Sequence, residues 1–169
     1  MRAHSISLDK AKQNKLFYFV ANVVVLRTDD ARCLILKRAL REIAHPGKWG
    51  VIGGKLEWNN LPLERPTRMN GDIFDFEDAV EGILHREAKE EANIEIKDVL
   101  LYLNSVAFVR PDGVPVVLVK FAAEYKGGEV RPEKGSFTDF AWVNADEVQK
   151  YNCIDGVKEE VKRTIELFS

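Results

Sequence analysis

The sequence predicts an α/β protein, and three observations carry the prediction. Runs rich in aromatic and β-branched residues at 16–28, 32–38, 99–110 and 114–126 have the composition of strands. A charged segment from about residue 76 to 92 keeps an apolar stripe at helical spacing. A second helical pattern closes the chain, with Val157, Val161, Ile165 and Phe168 on one face and Asp155 near its start.

Taken in order, LFYFVANVVVLRT and RCLILKR flank the turn-like DDA and read as a hairpin. HPGKWGVIGGKLE, 45–57, holds one Pro and four Gly, so its backbone turns sharply or approaches something closely. The stretch from 58 to 74 has two prolines, Asn-Asn and Asn-Gly without sustained periodicity, and reads as an ordered or semi-ordered loop. Asp75 is the expected N-cap, with Asp78 at the capping-box position and the helix running to Ala92. VLLYLNSVAFVR and VPVVLVKFAAEYK, separated by PDG, form a second expected hairpin, and FTDFAWVNA adds a short strand.

With 169 residues, 46% of them hydrophobic and 31% charged, the chain is expected to form one domain over 1–169. A formal net charge of -2 gives no global cationic field, which argues against a nucleic acid polymer or an anionic membrane as partner. Phosphate binding would have to be local or metal-borne. Cys33 and Cys153 make no CxxC pair and His4, His45 and His85 lie in unrelated contexts, so a zinc site is not expected. The longest apolar run, FYFVANVVVL, is too short to span a bilayer and contains Asn22. A cytoplasmic location with reduced thiols is the expectation.

The helix raises one question. At about 100° per residue, Val80, Ile83 and Leu84 share a face with Glu87, Glu90 and Glu91 of REAKEE, so three carboxylates are predicted to point inward. Such a run can form a solvated face or ion pairs with Arg86 and nearby lysines. On a partly buried face, mutual repulsion and desolvation make the cluster costly unless a multivalent cation neutralises it. Carboxylate oxygens in that arrangement suit Mg2+ or Mn2+.

Together, GGKLE and REAKEEANI resemble the Nudix hydrolase box, G-x5-E-x7-R-E-U-x-E-E-x-G-U, with U a bulky aliphatic residue. Gly54 takes the first glycine, Asp78 the first glutamate position, Arg86 and Glu87 the RE pair, Glu90 and Glu91 the EE pair, and Ile94 the last aliphatic position. Gly54 and Asp78 are 24 positions apart where the pattern asks for six, an insertion of 18 residues. An insertion of that size is able to shift the glycine segment relative to the helix. Asp78 stands for glutamate, Ala88 for the bulky aliphatic and Asn93 for the late glycine, a mild change because asparagine tolerates the left-handed conformation.

The resemblance covers roughly 20–148 and implies a Nudix α/β/α sandwich, a mixed sheet between helices. It also implies metal-dependent hydrolysis of a nucleoside diphosphate linked to another group. Glu87, Glu90 and Glu91 with the Gly53 carbonyl would hold Mg2+ or Mn2+, and Arg86 would orient the glutamates. The general base is one of these glutamates or an acid on a later loop, Glu133 or Asp139, with Glu133 preferred. Glu57 is a further candidate to support the glycine loop or a metal-bound water.

Trp49, Phe17, Phe19 and Phe108 are candidates to stack on a base, although aromatic residues on strands more often pack in a core. PGKWGVIGG is similar to the loop of Nudix enzymes that cleave nucleoside triphosphates or clean oxidised nucleotides. A nucleoside triphosphate is therefore the first expected substrate. Nucleotide sugars including ADP-ribose come second, Pro111 lying near the spacing associated with ADP-ribose hydrolases. A nucleotide-binding module without turnover is the alternative from a different class. In the insertion, 58–77, Arg65 and Arg68 could meet a polyphosphate, while Leu61, Leu63, Met69 and Ile73 could cover a base or a second copy of the chain in a homodimer.

Overall fold

The computed structural model describes residues 13–169, and a mixed sheet runs through its centre. Strands β1 (Tyr18–Arg27) and β2 (Arg32–Arg38) form the expected hairpin. They pair only beside the turn, at Leu26↔Cys33 and Arg27↔Arg32. Beyond that point they diverge, and β4 (Ile52–Lys55) takes the edge of β1, placing Asn22 opposite Gly53 and Ala21 opposite Gly54. The short β3 (Trp49–Gly50) lies on β2.

The second hairpin, β7 (Ile94–Val109) and β8 (Pro115–Gly128), joins the sheet by a parallel pairing of β8 with β1. Strand β9 (Phe137–Val143) pairs with β2. The sheet is thus mixed, in the order β3-β2-β1-β8-β7, with β4 and β9 on β1 and β2.

Helices α1 (Ala79–Ala92) and α2 (Val157–Leu167) cover opposite faces. Alternation along the strands explains why β1 and β2 are apolar almost throughout. Val23, Val25, Leu34 and Leu36 pack in the core that holds Leu84, Ala88 and Ala92 of α1. Val24, Leu26, Cys33 and Ile35 pack with Val157 and Val161 of α2. The α/β/α sandwich follows from this division.

Two local expectations are corrected. The segment 58–74 is not all loop: β5 (Arg68–Asn70) and β6 (Ile73–Asp75) form a small hairpin around Gly71-Asp72, with Gly71 at a φ of 63°. A glycine at the first position of a two-residue turn favours such a hairpin. Asp75 consequently does not cap α1; it accepts hydrogen bonds from Arg68, which also pairs with Glu77. The helix starts three residues later than expected, after Asp78 in a left-handed conformation that makes no side-chain cap.

At the other end of α1, Asn93 is left-handed with a φ of 55°. Its N–H donates to the Ala88 and Lys89 carbonyls, and its side chain donates to the Glu129 carbonyl at 3.0 Å. Asparagine thus serves where the box pattern has glycine. Among the described residues no helix is long and apolar enough to cross a membrane.

Candidate active site

The insertion leaves the glycine segment seated on the helix. Gly53 N–H donates to Glu91 Oε2 at 3.1 Å, and Gly54 lies so close to Glu87 that a Cβ there would fall 2.3 Å from its Oε1. The extra residues leave as the β5–β6 hairpin, away from this contact, which is why the box can tolerate them.

Only two of the three glutamates turn inward. The buried line of α1 runs through Leu84, Ala88 and Ala92, with Glu91 beside it. Glu87 is largely covered, its side chain 15% exposed, whereas that of Glu90 is 57% exposed. Glu90 follows Ala88 by two positions, about 200° around the helix, and so faces outward. Arg86 lies between the two environments: its Nη2 donates to Glu87 Oε1 at 2.9 Å and its Nε is 3.9 Å from Glu90.

Burial sets the electrostatics of the pair. Glu91 is pushed up to about 8, first by desolvation and further by Glu87 and Glu133, against the Gly53 N–H and Arg38, which favour its charge. Glu87 is raised as well, first by desolvation and then by the charges of Glu90 and Glu133, with Arg86 opposing. Glu133 reaches this cluster because its own N–H donates to the Glu91 carbonyl at 2.9 Å, just after Arg131 N–H has bonded to Ala92. Asp139, on β9, is exposed and accepts from the Phe140 N–H at 2.8 Å.

The donor set suits a hard divalent cation, although no His, Cys, Asp or Glu triplet among the described residues already surrounds a common point. Two carboxylates resist ionisation because burial desolvates them and neighbouring carboxylates repel them, and a divalent ion would offset both effects. Its ligands would be Glu87, Glu91, Glu90 from the outer face and the carbonyl of Gly53, once Glu87 turns from Arg86.

A stability prediction follows. The Glu91 carboxyl has a folded value near 8 against an ordinary 4.5. Its favourable contribution is therefore complete below about pH 4.5 and is lost as pH rises through about 8. In EDTA, the melting temperature of the parent should fall across that window more steeply than that of Glu91→Gln. Parallel curves would remove Glu91 from the buried site.

Other predicted residues lie elsewhere. Trp49 packs edge-on against Tyr151, with ring centroids 4.8 Å apart, and Tyr151 in turn lines a 460 Å³ cleft with Lys48, Cys153, Asp155 and Lys158. Arg65 is exposed on the insertion, and Arg68 is held by Asp75 and Glu77. Glu57 is exposed at the end of the glycine segment, and Pro111 lies in the exposed turn before β8. Phe19 packs on the α1 side, Phe17 is half exposed, and Phe108 is 44% exposed on β7.

Two residues were missed by sequence reasoning. Arg38, at the end of β2, favours the charge of Glu91 through space, a proximity that only folding creates. Asn22 presses against Gly53, where a Cβ would meet its Oδ1 at 1.9 Å. The lone polar residue in an apolar strand was its signal.

Comparison with known proteins agrees with the fold. The model of the NUDIX domain family matches residues 18–164. The NAD-capped RNA hydrolase NudC of Chromobacterium violaceum is 33% identical over 69 residues, which are 41% of this chain and 24% of that protein. The chain therefore matches about a quarter of the length of that curated relative. Among solved structures, a MutT NUDIX hydrolase from Burkholderia pseudomallei has a TM-score of 0.64 at 21% identity, covering 88% of this chain and 98% of that one. The NUDIX domain of Shewanella oneidensis NrtR, complexed with ADP ribose, has a TM-score of 0.67 at 15% identity, covering 96% of both chains. Hydrolases of the family generally use a divalent metal such as Mg2+. With nearly the whole described chain matched, this protein belongs to the NUDIX domain family.

Proposed function

We propose that the protein is a single-domain, metal-dependent pyrophosphohydrolase, with 58–77 as an insertion, and that its substrate is a nucleoside triphosphate. The observation that carries the reading is the docking of the glycine segment on the helix, Gly53 to Glu91 and Gly54 against Glu87. Mg2+ or Mn2+ bound by Glu87, Glu90, Glu91 and the Gly53 carbonyl would neutralise phosphate charge and lower the pKa of a bound water.

The chain's own residues do the rest. Arg86 holds Glu87 in place and, once a cation recruits that carboxylate, remains beside Glu90. Glu133, tethered through its backbone to α1, is our assignment for the group that takes the proton from the attacking water. Arg65 is the insertion's freer cation for a polyphosphate, since Arg68 is committed to two carboxylates. Self-association through the exposed Met69 and Ile73 is the other use of that hairpin, and a solution molar mass tests it.

Phosphate release in Mg2+ and in EDTA tests the activity, with a coupled pyrophosphatase for the triphosphates, which leave pyrophosphate, and a coupled phosphomonoesterase for ADP-ribose and NAD-capped RNA, which leave phosphomonoesters. The panel holds the nucleoside triphosphates, oxidised forms, ADP-ribose and an NAD-capped RNA, the last two because of the compounds named for the relatives. Mg2+-dependent release from a triphosphate, abolished by EDTA, is the expected result. Release from ADP-ribose alone would move the substrate to the nucleotide-sugar class, and binding without turnover would make the protein a nucleotide-holding module.

A further inference from the structure

The mechanism leaves one buried ion pair unused. Lys120 on β8 is 9% exposed, Glu160 on α2 is 3% exposed, and Lys120 Nζ donates to Glu160 Oε1. Replacing such a pair by apolar residues is often neutral or stabilising, so stability is a weak account of it. Its position suggests a better one.

In the sheet, Lys120 stands between Asn22 of β1 and Asn104 of β7. Strand alternation puts Asn22 on the face of Val24 and Leu26, the α2 side, and its partners share that face. The row begins at the candidate active site, because Asn22 is the residue pressed against Gly53. It also marks where α2 stops covering the sheet. On the covered side lie Val24 and Ala122; on the other side come Val20, Leu118 and Val106, then Tyr18, Val116 and Phe108.

Those outer rows are exposed at their edges, Tyr18 at 48% and Val106 and Phe108 at 44% each, while Val116 between Tyr18 and Phe108 is buried at 2%. Lys55 borders them, its Nζ 5.8 Å from the Tyr18 ring centre. An apolar, aromatic-edged face with a few fixed polar groups at one end matches a site for a flat, apolar-faced ligand with a polar edge. Continuity with Gly53 makes that ligand the group attached to the phosphates.

We propose that this face takes the nucleobase and that Asn22, Lys120 and Asn104 read its edge. The proposal rests on the nucleotide reading given above. An asparagine amide both donates and accepts, so Asn22 and Asn104 adapt to either kind of base. A lysine only donates. Held by Glu160, Lys120 therefore favours a keto oxygen, as in guanine or uracil, and leaves the amino group of adenine or cytosine facing a second donor.

Calorimetric binding of GDP, UDP, ADP and CDP in Mg2+ tests the selectivity without requiring turnover. GDP and UDP are expected to bind at least about tenfold more tightly than ADP and CDP, the scale of one hydrogen bond to a charged donor. Lys120→Met should bring all four within about twofold. Because that variant strands a buried carboxylate, the double variant K120M/E160L, which removes both charges, is measured beside it. Equal affinities in the parent, or a keto preference that survives in the folded double variant, would overturn the assignment. A keto preference in a protein that hydrolyses none of these nucleotides' triphosphates would uphold the base site and sink only the catalytic reading.

Discussion

Glu90→Gln is expected to lower turnover at saturating Mg2+ by at least about a hundredfold, because a weakened catalytic cation forfeits several kcal/mol of charge stabilisation. The substitution is clean. Glu90 is the outward member of the cluster, and its only ion pair among the described residues, with Arg86, spans 3.9 Å. An exposed pair of that kind contributes little to stability. Its charge also raises the Glu87 carboxyl, so removing it relieves repulsion in the metal-free protein. The melting temperature in EDTA should stay level or rise. Unchanged kcat would end the assignment of Glu90 as a metal ligand, and a clearly lower melting temperature in EDTA would return the cluster to a salt-bridge role.

How far the sequence could lead depends on which forces are local. The unbroken apolar runs VVVL and CLIL are a local signal, and they marked a pair of strands before any partner was known, whereas their burial on both faces emerges only in the fold. The order of glycine segment and glutamate helix was equally legible, as was the left-handed end at Asn93. The start of α1 was not. Asp75 has the chemistry of a cap, but Arg68, seven residues earlier, claims it across a hairpin that turns on Gly71. Helical arithmetic also overstated the inward cluster, since it placed the stripe on Ile83 and Leu84 without seeing that Ala88 and Ala92 continue it. Arg38 and Lys120 reach their roles only through pairings between distant strands, which no spacing along the chain records.

Gly54→Ala should damage activity severely through a single added methyl. The backbone at Gly54 is not in the left-handed region, so the argument is one of space alone. A Cβ there would fall 2.3 Å from Glu87 Oε1 and 2.5 Å from both its Cδ and Cγ. The clash involves the arm of the side chain as well as its tip, so Glu87 must leave its place and the β4–α1 contact must open. Overpacking of this kind costs about 1–3 kcal/mol. The larger effect is on chemistry: kcat/KM should fall at least about a hundredfold, as for loss of a metal ligand. Gly82→Ala is the matched control, since a Cβ at Gly82 meets nothing within 4 Å. In the helix interior that change should stabilise by up to about 1 kcal/mol and leave activity unaltered. Adding Glu87→Ala to Gly54→Ala removes the clash, so the double variant should regain stability without regaining turnover. If Gly54→Ala alone keeps activity within about threefold of the parent, Glu87 is not required where the helix holds it, and the metal site must be built from other groups.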